Sequence, residues 1–214
     1  MTTVGAQCLL SSPNPEIWFR LPHRLNDAYD IHPVGSCLDG FGTVASFCLS
    51  ETPDSAAMWA HYGSNGQGVV LEFSLASDFF YKNPPEKIQY RKKRPTVKSG
   101  HAALTTKNAE WSYEREWRCL MTLPRSSKDE HKFIELEGVV SVPFPFAALT
   151  AIIHGYDSRV SAEEFCARSE ASHVEQLVCR TKAWGYGFNI RPIDDINHIL
   201  EGREAALWGR RQRK

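Results

Sequence analysis

Short apolar runs rich in aromatic and β-branched residues recur along the whole chain, and glycine, proline or asparagine stands near most of their ends. This punctuation is typical of strands that are joined by turns. The sequence predicts strands at 16–22, 43–51, 66–75, 114–123, within 132–144, at 148–155 and at 184–193, with a further one in "EKIQYRKK" at 86–93. Such spacing favours a mixed, mostly antiparallel sheet or pair of sheets rather than a helical bundle.

Helices are inserted between these strands. "TPDSAAMWAHYG" predicts a short helix that Thr52 or Asp54 caps and Gly63 ends. Residues 96–114 are predicted to be partly helical, and 161–178 to form a helix that opens with a capping box of Ser161 and Glu164. The expected fold is therefore α+β. We expect one domain over 1–214, with a motif-bearing core at 16–155, a helix and closing strand at 156–195 and a basic tail at 200–214.

The composition excludes several classes of function. Lys plus Arg equals Asp plus Glu at 25 each, so the net charge does not favour nucleic acid or an acidic membrane as a partner. The basic stretches 90–98 and 209–214 are expected to be solvated. No apolar run approaches the length of about 20 residues that a membrane helix needs. The six cysteines form no CxxC pair, which points to buried thiols in a reducing cytoplasm and to no metal site.

Two carboxylates stand out in "WSYEREWRCLM", residues 111–121. Glu114 and Glu116 are two apart in a predicted strand, so both side chains should project from one face, into a pocket. Two like charges on one face need a cation or a function opposite them. The alternative is a solvated pair bridged to Arg115 or Arg118.

The flanking aromatic and polar residues extend this candidate site. Trp111 and Tyr113 are aromatic residues of the kind that line ligand pockets. His61 and Tyr62 end the predicted helix before a glycine-rich turn. They either belong to the same site or lie at the polar edge of the core. Asn26 and Asp27 in "LNDAYD" either contribute to the site or serve as turn residues that accept hydrogen bonds from their own backbone.

The order of strand, polar loop, strand ending in serine, helix, strand and late ExE strand resembles the ADP-ribosyltransferase fold. In that family the first strand supplies an arginine or histidine, the second a serine or tyrosine, and a late strand the catalytic glutamate. The resemblance implies Arg20 for the first position, Ser50 in "FCLSE" for the second and Glu116 for the catalytic residue, with Glu114 as the upstream member.

A second resemblance covers residues 25–118. "LNDAYD", "MWAHY" and "WSYEREWR" are similar to the motifs of a bacterial family known as domain of unknown function 2971. Members of that family carry an N-D-P-F-D or N-D-P-Y-D box, a C-F-S strand, M-W-x-H-Y and W-x-Y-E-x-E-W-R. This chain has Ala28 where proline is usual, and "FCLSE" where "CFSE" is usual.

The function that these resemblances imply is cleavage of nicotinamide adenine dinucleotide (NAD), as an ADP-ribosyltransferase or NAD glycohydrolase. Glu116 would stabilise the oxocarbenium-like charge on the ribose, and Glu114 would orient the ribose or activate the acceptor. Tyr62, Trp111 or Tyr113 would stack on nicotinamide, His61 would bind the adenosine ribose and Arg20 the pyrophosphate. The acceptor would be a protein, a nucleic acid or water, and the kind of family implies a bacterial toxin or defence effector with a possible antitoxin or immunity partner.

Two other functions remain open from the residues. Asp27, Asp30, Glu114 and Glu116 with Lys107 could serve a Mg²⁺-dependent nuclease or phosphoesterase, with 90–98 on the phosphate backbone. Alternatively the aromatic residues could line a nucleotide-binding module without catalysis. No G-x-G-x-x-G motif suggests a dehydrogenase.

Overall fold

The computed structural model describes residues 12, 14–29, 34, 41–123, 133–134, 138–158 and 174–193. The chain divides into two compact units, each assembled from separate segments. The six-stranded unit takes its described residues from 11–52 and 74–148, and the four-stranded unit takes its own from 53–73 and 149–193. That residues 1–214 fold together as one domain stays a prediction.

The six-stranded unit contains an antiparallel sheet in the order β4-β7-β2-β1-β9-β8. A separate parallel pair, β5 and β6, belongs to the same unit. The strands of this unit are β1 Glu16–Arg20, β2 Val44–Ser50, β4 Pro85–Lys87, β5 Gln89–Arg91, β6 Thr106–Asn108, β7 Glu116–Thr122, β8 Phe133–Ile134 and β9 Val139–Pro143.

The four-stranded unit contains a sheet in the order β12-β11-β10-β3. Its central pair, β10 and β11, is parallel, and its other two pairs are antiparallel. The strands are β3 Val69–Phe73, β10 Leu149–His154, β11 Glu175–Thr181 and β12 Phe188–Pro192.

Helices in the described residues are few and short. They are α1 Ala56–Tyr62, α2 Asp78–Lys82 and α3 Gly100–Leu104, and 3-10 turns include Pro22–Arg24 and Ala109–Glu114. The α+β class and the mostly antiparallel pairing are thereby confirmed. None of the helices in these described ranges has the length and apolarity needed to cross a bilayer.

Alternation of burial explains why the predicted strands form. In β1, Ile17 and Phe19 are buried while Trp18 between them is exposed, the period-two pattern of a half-buried strand. The ring of Phe19 packs on Phe79 from α2, which contacts Phe144 in turn. The core of the four-stranded unit gathers around Trp59, Ile153 and Cys179.

The turn between α1 and β3 requires glycine. Gly63 ends α1 as predicted, and Ser64, Asn65 and Gly66 follow with φ values of 51°, 55° and 83°. A Cβ at Gly66 would lie 2.2 Å from the Tyr156 ring, so this position combines a left-handed backbone with a close approach.

Two predicted boundaries are wrong. The N-cap of α1 is Ser55, whose side chain accepts from the Met58 N–H, and not Thr52 or Asp54. The predicted helix 161–178 fails at its end, because β11 begins at Glu175 and pairs with β10. Residues 159–173 lie outside the described residues.

Candidate functional site

Four buried charged side chains of the six-stranded unit form one charge cluster, consisting of Lys107, Glu114, Glu116 and Arg118. Lys107 Nζ lies 2.6 Å from Glu114 Oε2 and 3.0 Å from Glu116 Oε2. Arg118 donates from Nε to Glu116 Oε1 at 2.7 Å and from an Nη atom to Oε2 at 3.2 Å. The two glutamates are therefore neutralised by two cations within the fold.

The backbone between the two glutamates differs from the prediction. Glu114 ends the 3-10 turn Ala109–Glu114, and β7 begins only at Glu116. Arg115 between them has φ 45° and ψ 50°, the left-handed conformation that interrupts a strand. The shared strand face predicted for Glu114 and Glu116 is thus wrong. Their carboxylates converge because both bind Lys107.

Both carboxylates are also more enclosed than predicted. Glu116 is 4% exposed and Glu114 3%, and neither lines the cavity described below. Burial alone would raise the pKa of Glu116, but the charge and hydrogen bonds of Arg118, with Lys107, lower this pKa to about 2. Burial lowers the pKa of Lys107, but the two glutamates outweigh it and raise this pKa above its ordinary value. Both shifts favour the charged forms of Glu116 and Lys107.

Neighbouring groups hold the cluster in place. The Tyr90 hydroxyl accepts from the Glu116 N–H at 2.8 Å, and Arg118 donates to the Leu104 carbonyl at 3.0 Å. Lys107 Nζ lies 4.8 Å from the centre of the Trp111 ring, which contacts Tyr113 in turn. The positioning role of Tyr90 was not predicted from the sequence, since nothing in its spacing signals a partner 26 residues away.

Three of the four residues that the resemblance selects, Arg20, Ser50 and Glu116, lie on the adjacent strands β1, β2 and β7, and Glu114 lies in the turn just before β7. Ser50 on β2 is the register partner of Glu116 on β7, and its hydroxyl donates to the Glu114 carbonyl at 2.7 Å. Arg20 on β1 is exposed and pairs with Ser46 of β2, four residues before Ser50. The sheet thus brings these strands side by side.

The remaining predicted residues are placed as follows. Asp27 Oδ1 accepts from the Tyr29 N–H at 2.9 Å, a contact typical of a turn residue, and Asp27 follows Asn26 in the same loop. The membership of both residues in the site stays a prediction. His61 and Tyr62 end α1 of the four-stranded unit, with their rings edge to face at 6.2 Å. Their membership of one site with the charge cluster stays a prediction.

One cavity of about 270 Å³ opens in the six-stranded unit. Its lining combines four consecutive basic residues with an aromatic ring and the edge of β6. The lining residues are Tyr29, Val34, Arg91, Lys92, Lys93, Arg94, Pro95, Val97, Ala103, Thr106, Lys107 and Asn108. Lys107 therefore belongs both to the charge cluster and to the cavity wall.

Within the described ranges, no group of three or more His, Cys, Asp or Glu side chains could hold a metal ion. Cys119 and Cys179 are buried free thiols as predicted, but Cys48 is exposed, so the prediction of burial is wrong there. Cys8, Cys37, Cys166 and Asp30 lie outside the described residues.

Comparison with curated proteins and with solved structures gives no match. A family model does match, over residues 58–119. This segment contains "MWAHY", the whole charge cluster and most of the cavity lining, whereas Asn26, Asp27 and Ser50 lie before it. Residues 58–119 of the chain are thus similar to the family described as Protein of unknown function (DUF2971).

Proposed function

We propose that the protein cleaves NAD as an ADP-ribosyltransferase or NAD glycohydrolase, with Glu116 as the catalytic carboxylate. The observation that carries this proposal is the placement of Ser50 directly opposite Glu116 on adjacent strands, with β1 and its Arg20 next in the sheet. The proposed likeness to the ADP-ribosyltransferase fold rests on the same three strands.

The proposed reaction breaks the bond between nicotinamide and C1′ of its ribose. Nicotinamide leaves with the bonding electron pair, and water or an acceptor group then bonds to C1′ and loses a proton. The developing positive charge on the ribose needs a nearby anion. The low pKa of Glu116 supports this role, because the carboxylate is ionised at every physiological pH.

The remaining residues take supporting roles in this proposal. Arg20 is exposed and would meet the pyrophosphate, while the aromatic pair Trp111 and Tyr113 would stack on nicotinamide. Glu114 would orient the ribose or activate the acceptor, and Ser50 fixes the backbone at Glu114. Asn26 and Asp27 would contribute to the site from the loop after β1.

The burial of Glu116 adds one requirement. Lys107 on β6 and the 3-10 turn Ala109–Glu114 supply the groups that enclose this carboxylate. The proposed reaction therefore needs this cover to open when substrate binds, so that the ribose replaces Lys107 beside Glu116. A substrate-dependent rise in hydrogen exchange across 106–114 would be its signature.

The test follows nicotinamide released from NAD by the wild type, Glu116→Gln and Ser50→Ala. Loss of one electrostatic group in a transition state typically costs about 10²–10³ in rate, so Glu116→Gln should lose that much in kcat with a smaller change in KM. Glu116→Gln also removes a buried ion, so melting temperatures are measured in parallel. Ser50→Ala leaves the charge cluster intact and should reduce kcat without a comparable loss of stability. Full activity in both folded variants would overturn the assignment.

One observation favours a second candidate, a nucleotide-binding module without catalysis. Every charge of the cluster is already paired inside the fold, and the cavity beside it carries cations that no carboxylate of the described residues pairs. Such a protein would bind a nucleotide and release it unchanged. The nuclease alternative receives no such support, because the described carboxylates meet a lysine and an arginine rather than one another across an open site.

We also propose a toxin or defence role, which the kind of family implies. The acceptor would then be a protein or nucleic acid, and an immunity or antitoxin partner would control the activity. Expression of the wild type beside Glu116→Gln in a bacterial host tests this role. Growth arrest by the wild type alone would support it, and equal growth would contradict it.

A further inference from the structure

We propose that the cavity of the six-stranded unit binds the phosphate groups of a small nucleotide, with Arg91 and Arg94 as the main anion ligands. Binding of phosphate in this cavity does not require cleavage of NAD at Glu116. An experiment can therefore contradict either proposal without contradicting the other.

The lining of the cavity is strongly basic. Arg91, Lys92, Lys93 and Arg94 are consecutive and exposed, and no lining residue is acidic. Among the described residues, no carboxylate lies in salt-bridge range of these four side chains. The charge of Lys107 is balanced within its cluster, so the four residues 91–94 supply the net positive charge of the cavity.

The two arginines have neutral neighbours that orient them without cancelling their charge. Arg91 donates to the Gln89 side-chain oxygen at 2.8 Å. The Arg94 guanidinium lies 5.0 Å from the centre of the Tyr29 ring, which suits a cation–π contact. Planar guanidinium groups held in this way match the oxygen pairs of phosphate.

The segment that carries these cations is anchored at both ends, unlike an ordinary solvated loop. Arg91 ends β5, which pairs with β6 in register with Asn108. Val97 is buried, and its N–H donates to the Val34 carbonyl at 2.8 Å. Residues 92–96 are thus held by backbone hydrogen bonds at both ends, which limits the conformational freedom lost when an anion binds.

The size of the cavity decides between ligands. Pockets for drug-sized ligands span roughly 300–1,000 Å³, and about 270 Å³ lies just below that range. This space accommodates a diphosphate with part of a nucleoside rather than a whole dinucleotide. The ring of Tyr29 is half exposed at the cavity edge and offers a surface for a base. These features favour a free nucleotide over the backbone of a nucleic acid.

The experiment measures binding by titration calorimetry with inorganic pyrophosphate, ADP, adenosine and a single-stranded oligonucleotide. The variant is Arg91→Ala with Arg94→Ala. The matched control is Lys82→Ala with Arg191→Ala, which removes the same net charge from exposed sites outside the cavity lining. Because all four residues are exposed, both double variants should fold, and circular dichroism checks this.

The wild type and the control should bind pyrophosphate and ADP, and adenosine should not bind. The cavity variant should lose on the order of 10²-fold in affinity for both phosphate ligands, the effect of two charge-assisted hydrogen bonds. Equal affinities in the cavity variant and the control would overturn the proposal, as would tighter binding of the oligonucleotide than of ADP. Nicotinamide release measured on the same samples reports separately on the proposed function.

Discussion

Lys107 is the residue on which the charge cluster depends. Its side chain is only 1% exposed and bridges two carboxylates that would otherwise repel each other. Taking an ion out of water costs several kcal/mol, so a buried pair is stable only when each ion keeps its partner. The cluster of two cations and two anions meets that condition. If one member is lost, its partner is left buried without a counter-ion, and the cost of removing that ion from water is no longer offset.

We expect Lys107→Met to lower the free energy of unfolding by about 3–5 kcal/mol, because it leaves two buried carboxylates short of a cation. The control is Lys87→Met. Lys87 pairs with Glu51, but the two side chains are 58% and 34% exposed, so its loss should cost under about 1 kcal/mol. Urea denaturation of both variants measures the difference. Similar losses would show that the cluster is not a buried ion network.

The pH dependence of stability should report Glu116 directly. Its pKa is about 2 in the folded chain and about 4.5 when unfolded, so its contribution is present above pH 4.5 and is lost as the pH falls toward 2. That contribution is about 3 kcal/mol by the usual conversion. The pKa of Lys107 is raised, so its own contribution is present below pH 10.5 and is lost at higher pH.

Thermal melts of the wild type and Glu116→Gln between pH 6 and pH 3 test this expectation. The stability difference between the two proteins should shrink as the pH falls, because the wild type loses the contribution that the variant never had. A difference that stays constant over this range would contradict the assigned ionisation.

The sequence singled out Glu114 and Glu116 as a pair, and their carboxylates do meet, because both bind Lys107. The shared strand face that predicted this meeting was wrong, because Arg115 interrupts the strand. Nothing in the sequence signals that Arg115 adopts a left-handed conformation, because that choice depends on the contacts of both flanking glutamates with Lys107. Long-range partners of this kind carry no periodic signal.

At the scale of elements, the glycine turn after α1 and the end of β10 depend on each other. The Gly155 N–H donates to the Gly68 carbonyl, and the Asp157 N–H donates to the Gly66 carbonyl. This close approach leaves no room for side chains between the two backbones. The turn therefore fixes how β3 enters its sheet.

Gly155→Ala should destabilise the protein by about 1–3 kcal/mol or more, because its Cβ would lie 2.1 Å from the Gly66 carbonyl oxygen. A backbone oxygen cannot move aside as a flexible side chain would. Gly42→Ala is the matched control, since a Cβ there meets no atom within 4 Å. Thermal unfolding of both variants measures the effect, and equal midpoints would refute the close approach.

Element boundaries were predictable where the signal is local and failed where it is not. Gly63 ends α1 as its position suggests, and β1 follows its own alternation of apolar residues. Residues 175–178 form a strand instead of the predicted helix because they pair with β10, a partner more than 20 residues away. Tertiary pairing overrides a local helical pattern in such cases.

At the scale of the whole molecule, the chain passes between its two units at 52/53, 73/74 and 148/149. Ser74 donates to the Ala148 carbonyl within the six-stranded unit, and the preceding Phe73 pairs with Leu149 in the four-stranded unit. Folding of 74–148 therefore brings the ends of β3 and β10 together. The crossings at 73/74 and 148/149 were not predictable, because they lie in continuous runs without linker composition.

This connectivity predicts that the four-stranded unit loses stability when the six-stranded unit unfolds. Closing a disordered loop of 75 residues costs about 4 kcal/mol from chain entropy alone. Lys107→Met should therefore reduce hydrogen-exchange protection in β10 as well as in β7. Unchanged protection in β10, with protection lost in β7, would show that the two units unfold independently and would count against the one-domain prediction.

The claim that the protein cleaves NAD is tested by the release of nicotinamide by the purified wild-type protein. NAD labelled in its nicotinamide ring is incubated with the protein, with and without EDTA, and the products are separated by chromatography. We predict that nicotinamide and an ADP-ribosyl product accumulate at the same rate in both samples. Recovery of intact NAD in both samples, with water or with any protein or nucleic acid offered as acceptor, would contradict the claim.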